Sequence, residues 1–470
     1  MATTTAREPS PINNDSSGLL RQLGIVSATA LVISNMIGTG IFTTTGFLAS
    51  DFGRTDLVLS IWLLGAVCAL LGAFCYSELG INFPSSGGEY VYLTQAFGPA
   101  WGFLTGWVSF FAGFSAPIAF AALAFADYLG YFYPGLKQAN TQFTIGSGDW
   151  TFKFGGAQAC ASTLVAVFTI INLFGIKLVA PLQNFLTATK IAVILGFIFF
   201  GLSAGTGSWD HFSMETSRAT ATPLVSQFAI SLFFVYVGYS GWNAATYVAE
   251  ELRNPARTLP IALAAGTGLV ALLYIGLNVV FIYAVPLEKM KGVIAIGSLA
   301  SASLFGPAVA GIFSALMAVS LVSTVNAMVT IGPRVYYAMA KNGAFFPLAA
   351  RVHQQWRTPV WAILAQGLCA MAMTFTPFPD LFFYIGFILN FFASVSVASL
   401  LIFRKRPGWQ KLRVVSFAYP LVPVSFLIVG VWMTLFGLTL RPFLSTIAIL
   451  TVLTGALVYH LWLKPKHALA

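Results

Sequence analysis

The chain has 470 residues, 58% hydrophobic and only 8% charged, with a mean hydropathy of +0.83 and a formal net charge of +10. Those values exclude a water-soluble globular domain. In so apolar a chain, 24 Lys and Arg against 14 Asp and Glu read as membrane topology and anionic-lipid contact rather than nucleic-acid binding.

Residues 1–20 are polar, rich in Ser, Thr, Asn and Pro, and lack the apolar core of a signal peptide, so a disordered tail is expected there. Twelve apolar runs follow, centred on 24–49, 57–81, 100–130, 157–176, 181–204, 223–249, 258–285, 308–340, 360–377, 380–403, 414–439 and 442–463. A helix needs about 20 apolar residues to cross a bilayer, so the expectation is an all-α membrane protein of twelve transmembrane helices. The segments between runs are short, which leaves no room for a soluble catalytic domain. An even count puts both termini on one side. Most Lys and Arg fall on the terminal side, which makes the tails, 464–470 included, cytoplasmic and the chain a multi-pass protein of a plasma or inner membrane.

In chain order, the first run contains "SNMIGTGIFTTTGF" (Ser34 to Phe47), with Gly38 and Gly40 at mid-membrane. Gly98, Gly102 and Gly106 open the third run as a glycine face suited to close helix packing. The fifth carries the lone intramembrane lysine, Lys190, and closes on "GLSAG" (Gly201 to Gly205), which lacks the preceding strand a nucleophile elbow requires. In the sixth, Gly238 and Gly241 bracket Tyr239 and Ser240. The seventh contains "GTGLVA" (Gly266 to Ala271), a dinucleotide fingerprint in the wrong context. Ser320, Ser323 and Thr324 share one face of the eighth, and Asn390 sits in the tenth. Cys68, Cys75, Cys160 and Cys369 are scattered, as are the four histidines, so no metal, cofactor or enzyme chemistry is expected.

Gly40 and Gly241 stand about 200 positions apart, as do Lys190 and Asn390, so the irregularities recur at one offset. This implies a first five-helix repeat over 21–204, a second over 220–406, and two additional helices over 411–463. Five being odd, the second repeat enters the membrane inverted. Glycine-interrupted helices at matching positions of inverted repeats point to a transporter's substrate site.

Unwinding a helix exposes N–H and C=O groups, tolerable in a membrane only where they line a protein cavity. The first and sixth helices are therefore expected to unwind at their glycines. Free N–H groups at Gly38, Thr39 and Gly40 suit a carboxylate, and carbonyls near Ile37 and from Tyr236 through Val237 to Gly238 suit an ammonium group. A zwitterion fits between them.

Four stretches carry a family resemblance: "IGTGIF" (Ile37 to Phe42), "SELGINFPSSGGEYVYLTQAFGPAWGFLTGW" (Ser77 to Trp107), "YSGWNAATYVAEELRNPARTLP" (Tyr239 to Pro260) and "GPRVYYAMAKNG" (Gly332 to Gly343). On these the chain resembles the amino acid–polyamine–organocation superfamily, closest in pattern to bacterial relatives of the L-type amino acid transporters. The resemblance implies a LeuT-like five-plus-five fold and α-amino acid transport by alternating access. It also implies that Lys190 takes the place of the second sodium ion of sodium-dependent members, tying the first helix to Ser320, Ser323 or Thr324 of the eighth. Asn326 and Asn390 match asparagines of the L-type pattern, the latter at a substrate-pocket position. Val237 stands where relatives often carry an aromatic gate, with Tyr236 and Trp242 nearby to take that role, and Ser240 where some bacterial relatives carry Asp. Glu78, Glu89, Glu250, Glu251 and Arg253, within the motifs, are expected to make intracellular gate contacts with Arg334 or nearby basic residues.

The expected function is sodium-independent transport of neutral L-amino acids, with exchange favoured slightly over proton symport. The alternatives are a cationic amino acid or polyamine carrier, which would want an acidic pocket residue, and an amino-acid-binding sensor or subunit without transport. The partners are the amino acid and the bilayer; the preferred side chain, oligomeric state and any accessory subunit stay open.

Overall fold

In lipid a backbone must satisfy its own polar groups, which a helix does within one segment. The computed structural model describes residues 21, 23–85, 87–147, 150–174, 179–341, 343–356 and 358–463; the tails expected over 1–20 and 464–470 lie outside them. Every one of the twelve apolar runs carries helix. The first run holds two short helices, α1 (Ile25–Met36) and α2 (Thr44–Phe52). There follow α3 (Thr55–Asn82), the short α4 (Glu89–Phe97), α5 (Pro99–Leu129), α6 (Gly156–Leu173) and α7 (Val179–Ser203). The second half consists of α8 (Leu224–Tyr239), α9 (Pro255–Ala284), α10 (Ile296–Phe305), α11 (Pro307–Lys341), α12 (Val360–Met373), α13 (Phe378–Phe403), α14 (Leu421–Leu440) and α15 (Pro442–Leu463). Among the described residues nine helices are long and apolar enough to cross a membrane, the sixth-run helix being counted through to Glu251.

Small residues set the closest approaches. A Cβ on Gly266 of α9 would lie 2.8 Å from the Val32 side chain of α1, and one on Gly201 of α7 the same distance from Val280. Both misleading motifs are thus helix-packing positions. Gly102 and Gly106 behave likewise against Thr94 and Met339, whereas Gly98 has open space and a φ of 95° at the bend between α4 and α5.

Two features are absent from the sequence expectation. Strands β1 (Phe143–Ser147) and β2 (Trp150–Phe154) form an antiparallel hairpin, Phe143 opposite Phe154 with rings stacked at 5.0 Å, and Lys153 N–H donates to Phe375 O at 2.8 Å. The described start of the chain also pairs with the segment after the sixth-run break: Leu23 N–H donates to Glu251 O (2.9 Å) and Arg253 N–H to Leu23 O (2.8 Å).

Candidate functional site

The first run leaves the helix at Ile37, whose ψ of 85° ends α1, passes through a 3-10 turn at Gly40–Phe42 and resumes at Thr44. The break frees carbonyls, and several find donors. Met36 O accepts from Tyr274 Oη (2.5 Å), Ile37 O from Lys190 Nζ (3.5 Å) and Phe42 O from Tyr128 Oη (3.2 Å). The run Thr43 to Thr45 supplies much of the rest: Thr43 Oγ1 donates to Thr39 O (3.1 Å), Thr44 Oγ1 to Gly40 O (2.7 Å) and Thr45 Oγ1 to Asn278 Oδ1 (2.6 Å). Hydroxyls competing for backbone carbonyls make such a break tolerable. The ammonium at Ile37 O belongs to Lys190, and Gly38 N–H turns onto Met36 O (2.8 Å) instead of staying free. Thr39 N–H meets no backbone acceptor among the described residues.

The sixth run breaks after Tyr239. Ser240 adopts an extended ψ of 147°, Gly241 a φ of 96°, and a 3-10 segment continues from Ala244 to Glu251. Gly241 is required twice over, since a Cβ there would also lie 2.8 Å from the backbone carbon of Asn35. Val237 O accepts both the N–H and the Oγ of Ser240 (3.1 and 2.7 Å), so that carbonyl and the Ser240 hydroxyl are already paired. The two breaks touch. A Cβ on Gly40 would lie 2.4 Å from Gly238 Cα, whereas one on Gly38 would meet only Met36 O, at 3.9 Å.

Lys190, 5% exposed on α7, reaches this crossing. Its Nζ donates to Thr324 Oγ1 of α11 at 2.9 Å as well as to Ile37 O. Thr324 Oγ1 donates in turn to Ser320 O at 3.2 Å, and Ser320 and Ser323 are buried on the same face. One cation thus binds the first break to α11 through neutral oxygens.

Aromatic rings pack around the crossing. On the α2 side, Phe120 stacks on Phe378 at 4.2 Å and meets Phe382 at 4.1 Å, with Phe234 and Phe47 completing a five-ring plug. Towards the other side, Trp62, Tyr239 and Tyr274 pack edge to face or tilted at 5.1–5.6 Å, and Trp242 meets Tyr76 at 4.7 Å. Tyr236 is buried and Val237 half-buried beside these rings. Sequence reasoning missed the phenylalanine plug, Trp62, Tyr128 and Tyr274.

Asn390 donates its amide to Gly430 O (3.0 Å) and Thr434 Oγ1 (3.1 Å) of α14, so these bonds tie α13 to an additional helix. Asn326 accepts from Asn172 Nδ2 (3.2 Å), joining α6 to α11. Glu78 forms a buried bidentate pair with Arg404 (2.6 Å to each oxygen) and accepts from Trp409 Nε1 and Leu412 N. Arg334 donates to Thr330 O on its own helix.

Two broken helices crossing backbone to backbone, with a buried lysine bonded to the first break and aromatic rings packed around both, define a multi-helix membrane protein whose unwound backbone lies inside the bundle. The comparisons carry this to a family: the amino acid permease family model matches residues 23–458, and the chain belongs to that family. It is an amino acid transporter and not an enzyme, and family membership implies the LeuT-like fold. It is 28% identical to the large neutral amino acids transporter small subunit 2 of Mus musculus, over 98% of this chain and 85% of that protein. To the Asc-type amino acid transporter 1 of Mus musculus it is 29% identical, over 95% and 83%. To the serine/threonine exchanger SteT of Bacillus subtilis it is also 29% identical, over 89% and 92%.

Proposed function

We propose that this chain exchanges neutral L-amino acids across a cell membrane by alternating access, without sodium. The observation that carries the reading is the Lys190 bridge from Thr324 Oγ1 to Ile37 O, a fixed cation at the first break. A second cation there would be repelled. No acidic or basic residue lies between Ser34 and Phe47 or between Phe233 and Val248, which favours a neutral zwitterion over a cationic substrate or polyamine. The names of the relatives, a large neutral amino acids transporter subunit, an Asc-type amino acid transporter and a serine/threonine exchanger, agree with this.

In this reading the chain crosses the membrane twelve times, with repeats over 21–204 and 220–406, helices over 411–463 added, and both termini cytoplasmic. The substrate lies against Ile37, Gly38, Thr39 and Gly40 on one side and Tyr236 to Trp242 on the other, with Asn390 beyond them. Lys190, with Ser320, Ser323 and Thr324, couples the first break to α11.

Counterflow into proteoliposomes tests it. Labelled neutral amino acids should enter vesicles loaded with unlabelled neutral amino acid, equally with sodium or choline outside. Uptake into empty vesicles driven by an inward proton gradient would replace exchange with symport. Binding with no flux of either kind would leave a sensor.

A further inference from the structure

Glu89 opens α4, and three neutral donors converge on its carboxylate. Tyr76 Oη of α3 donates to Oε1 at 2.7 Å, Asn243 Nδ2 to Oε1 at 3.1 Å, and Tyr247 Oη to Oε2 at 3.4 Å. Asn243 stands two residues beyond Gly241 of the break, and Tyr247 follows in the 3-10 segment. The loop before Glu89 is fitted closely: Gly88 has a φ of 50°, and a Cβ there would fall 2.8 Å from the Tyr247 ring and 2.9 Å from Thr246 Oγ1. Glu89 belongs to none of the ion pairs among the described residues, unlike Glu78 thirteen residues before Val91 in the same motif.

We propose that Glu89 is a positioning residue for transport, a carboxylate latch that holds the segment after the sixth-run break against α3 while that side of the molecule is shut. The inference rests on the transport reading above. A carboxyl group suits the task because its two oxygens meet several donors at once. Neutral donors suit it too. When the segment swings away, two phenols and an amide pass to water without the desolvated partner charge that a broken buried ion pair leaves behind. Trp242, packed at 4.7 Å on the Tyr76 ring, would leave with Asn243, uncovering α3 above Tyr76.

Cys68 reports that event. It is buried on α3, two helical turns before Tyr76 and beside Tyr236. The experiment uses the full chain in detergent with Cys75, Cys160 and Cys369 replaced by Ala, and reads the rate at which a bulky maleimide labels Cys68. Glu89→Ala should raise that rate about tenfold, within the usual span of conformational coupling, and lower the apparent affinity for substrate at the opposite face in oriented vesicles. Tyr247→Phe and Asn243→Ala should each do the same in smaller measure, and add nothing on the Glu89→Ala background. Labelling at the parental rate in Glu89→Ala, or, should that variant not fold, in Asn243→Ala and Tyr247→Phe together, overturns the latch. Labelling is read without transport, so a parent that fails counterflow refutes the exchanger and leaves this measurement standing.

Discussion

Gly40 and Gly238 meet backbone to backbone, so near that a single methyl on Gly40 would fall 2.4 Å from the Gly238 Cα. The two interrupted helices therefore cross at their glycines, and the contact fixes the position of both breaks at once.

Gly40→Ala must push the sixth-run helix away, because the obstructing atoms are main chain. Overpacking of this kind costs about 1–3 kcal/mol, and exchange should fall at least about tenfold with it. Gly268→Ala, on α9 with open space around an added Cβ, should keep most of the activity. Counterflow with both variants checks the contrast; equal losses would mean that the crossing is not what limits transport.

Lys190→Met keeps the stem and removes the donors that join Thr324 Oγ1 to Ile37 O. Exchange should drop by about tenfold or more, with expression little changed and no sodium response gained in the parent. Thr324→Ala should show a partial loss. Parental exchange by Lys190→Met, or stimulation of the parent by sodium, would refute the strut.

The Glu78–Arg404 pair is buried, the side chains being 0% and 6% exposed, and it anchors Trp409 and Leu412 as well. Removing one partner of such a pair strands the other charge at a cost of about 3–5 kcal/mol. Glu78→Gln should therefore unfold at markedly lower denaturant in detergent, and Glu78→Gln with Arg404→Met should recover part of the loss. A wild-type unfolding midpoint for Glu78→Gln would make the pair incidental.

Glu89 gives the pH dependence. Burial raises its carboxyl above the ordinary value by more than the bonds from Tyr76, Tyr247 and Asn243 lower it. The groups around it are the phenols of Tyr76, Tyr92, Tyr236 and Tyr247; Arg406 reaches only Gln95 O at the far end of α4, and Arg404 is held by Glu78. A raised pKa in the latched state means that a proton favours that state: the contribution is full in acid and is lost as pH rises through the raised value. The ratio of Cys68 labelling in the parent to that in Glu89→Gln, which cancels the ionisation of the thiol, should fall as the pH is lowered through the raised value. A flat ratio would exclude protonation of the latch.

How much was legible follows from contrast. Gly38, Gly40, Gly238 and Gly241 stand out because glycine is the weakest helix former in an apolar run, and Lys190 because a charge there is costly. Asn390 gave the same kind of signal, yet a polar residue in a span announces a hydrogen bond without naming the partner; here it is α14. Phe47, Phe120, Phe234, Phe378 and Phe382 carried no contrast among 43 phenylalanines, though the plug they form packs at the crossing. The hairpin was readable in principle. Phe143 and Ile145, then Trp150, Phe152 and Phe154, alternate as a strand pair should, but a reading tuned to long apolar runs passes over ten residues between them.

The threonines after the first break carry a consequence for how such a chain changes over generations. Thr43 and Thr44 close the carbonyls of Thr39 and Gly40 from within their own segment, and Tyr128 and Tyr274 close two more from α5 and α9. The unwound backbone is thus supported without Val237, Tyr236 or Trp242. If those three face the solute, as proposed, selection can exchange them to suit a new nutrient while the frame of the first break stays as it is.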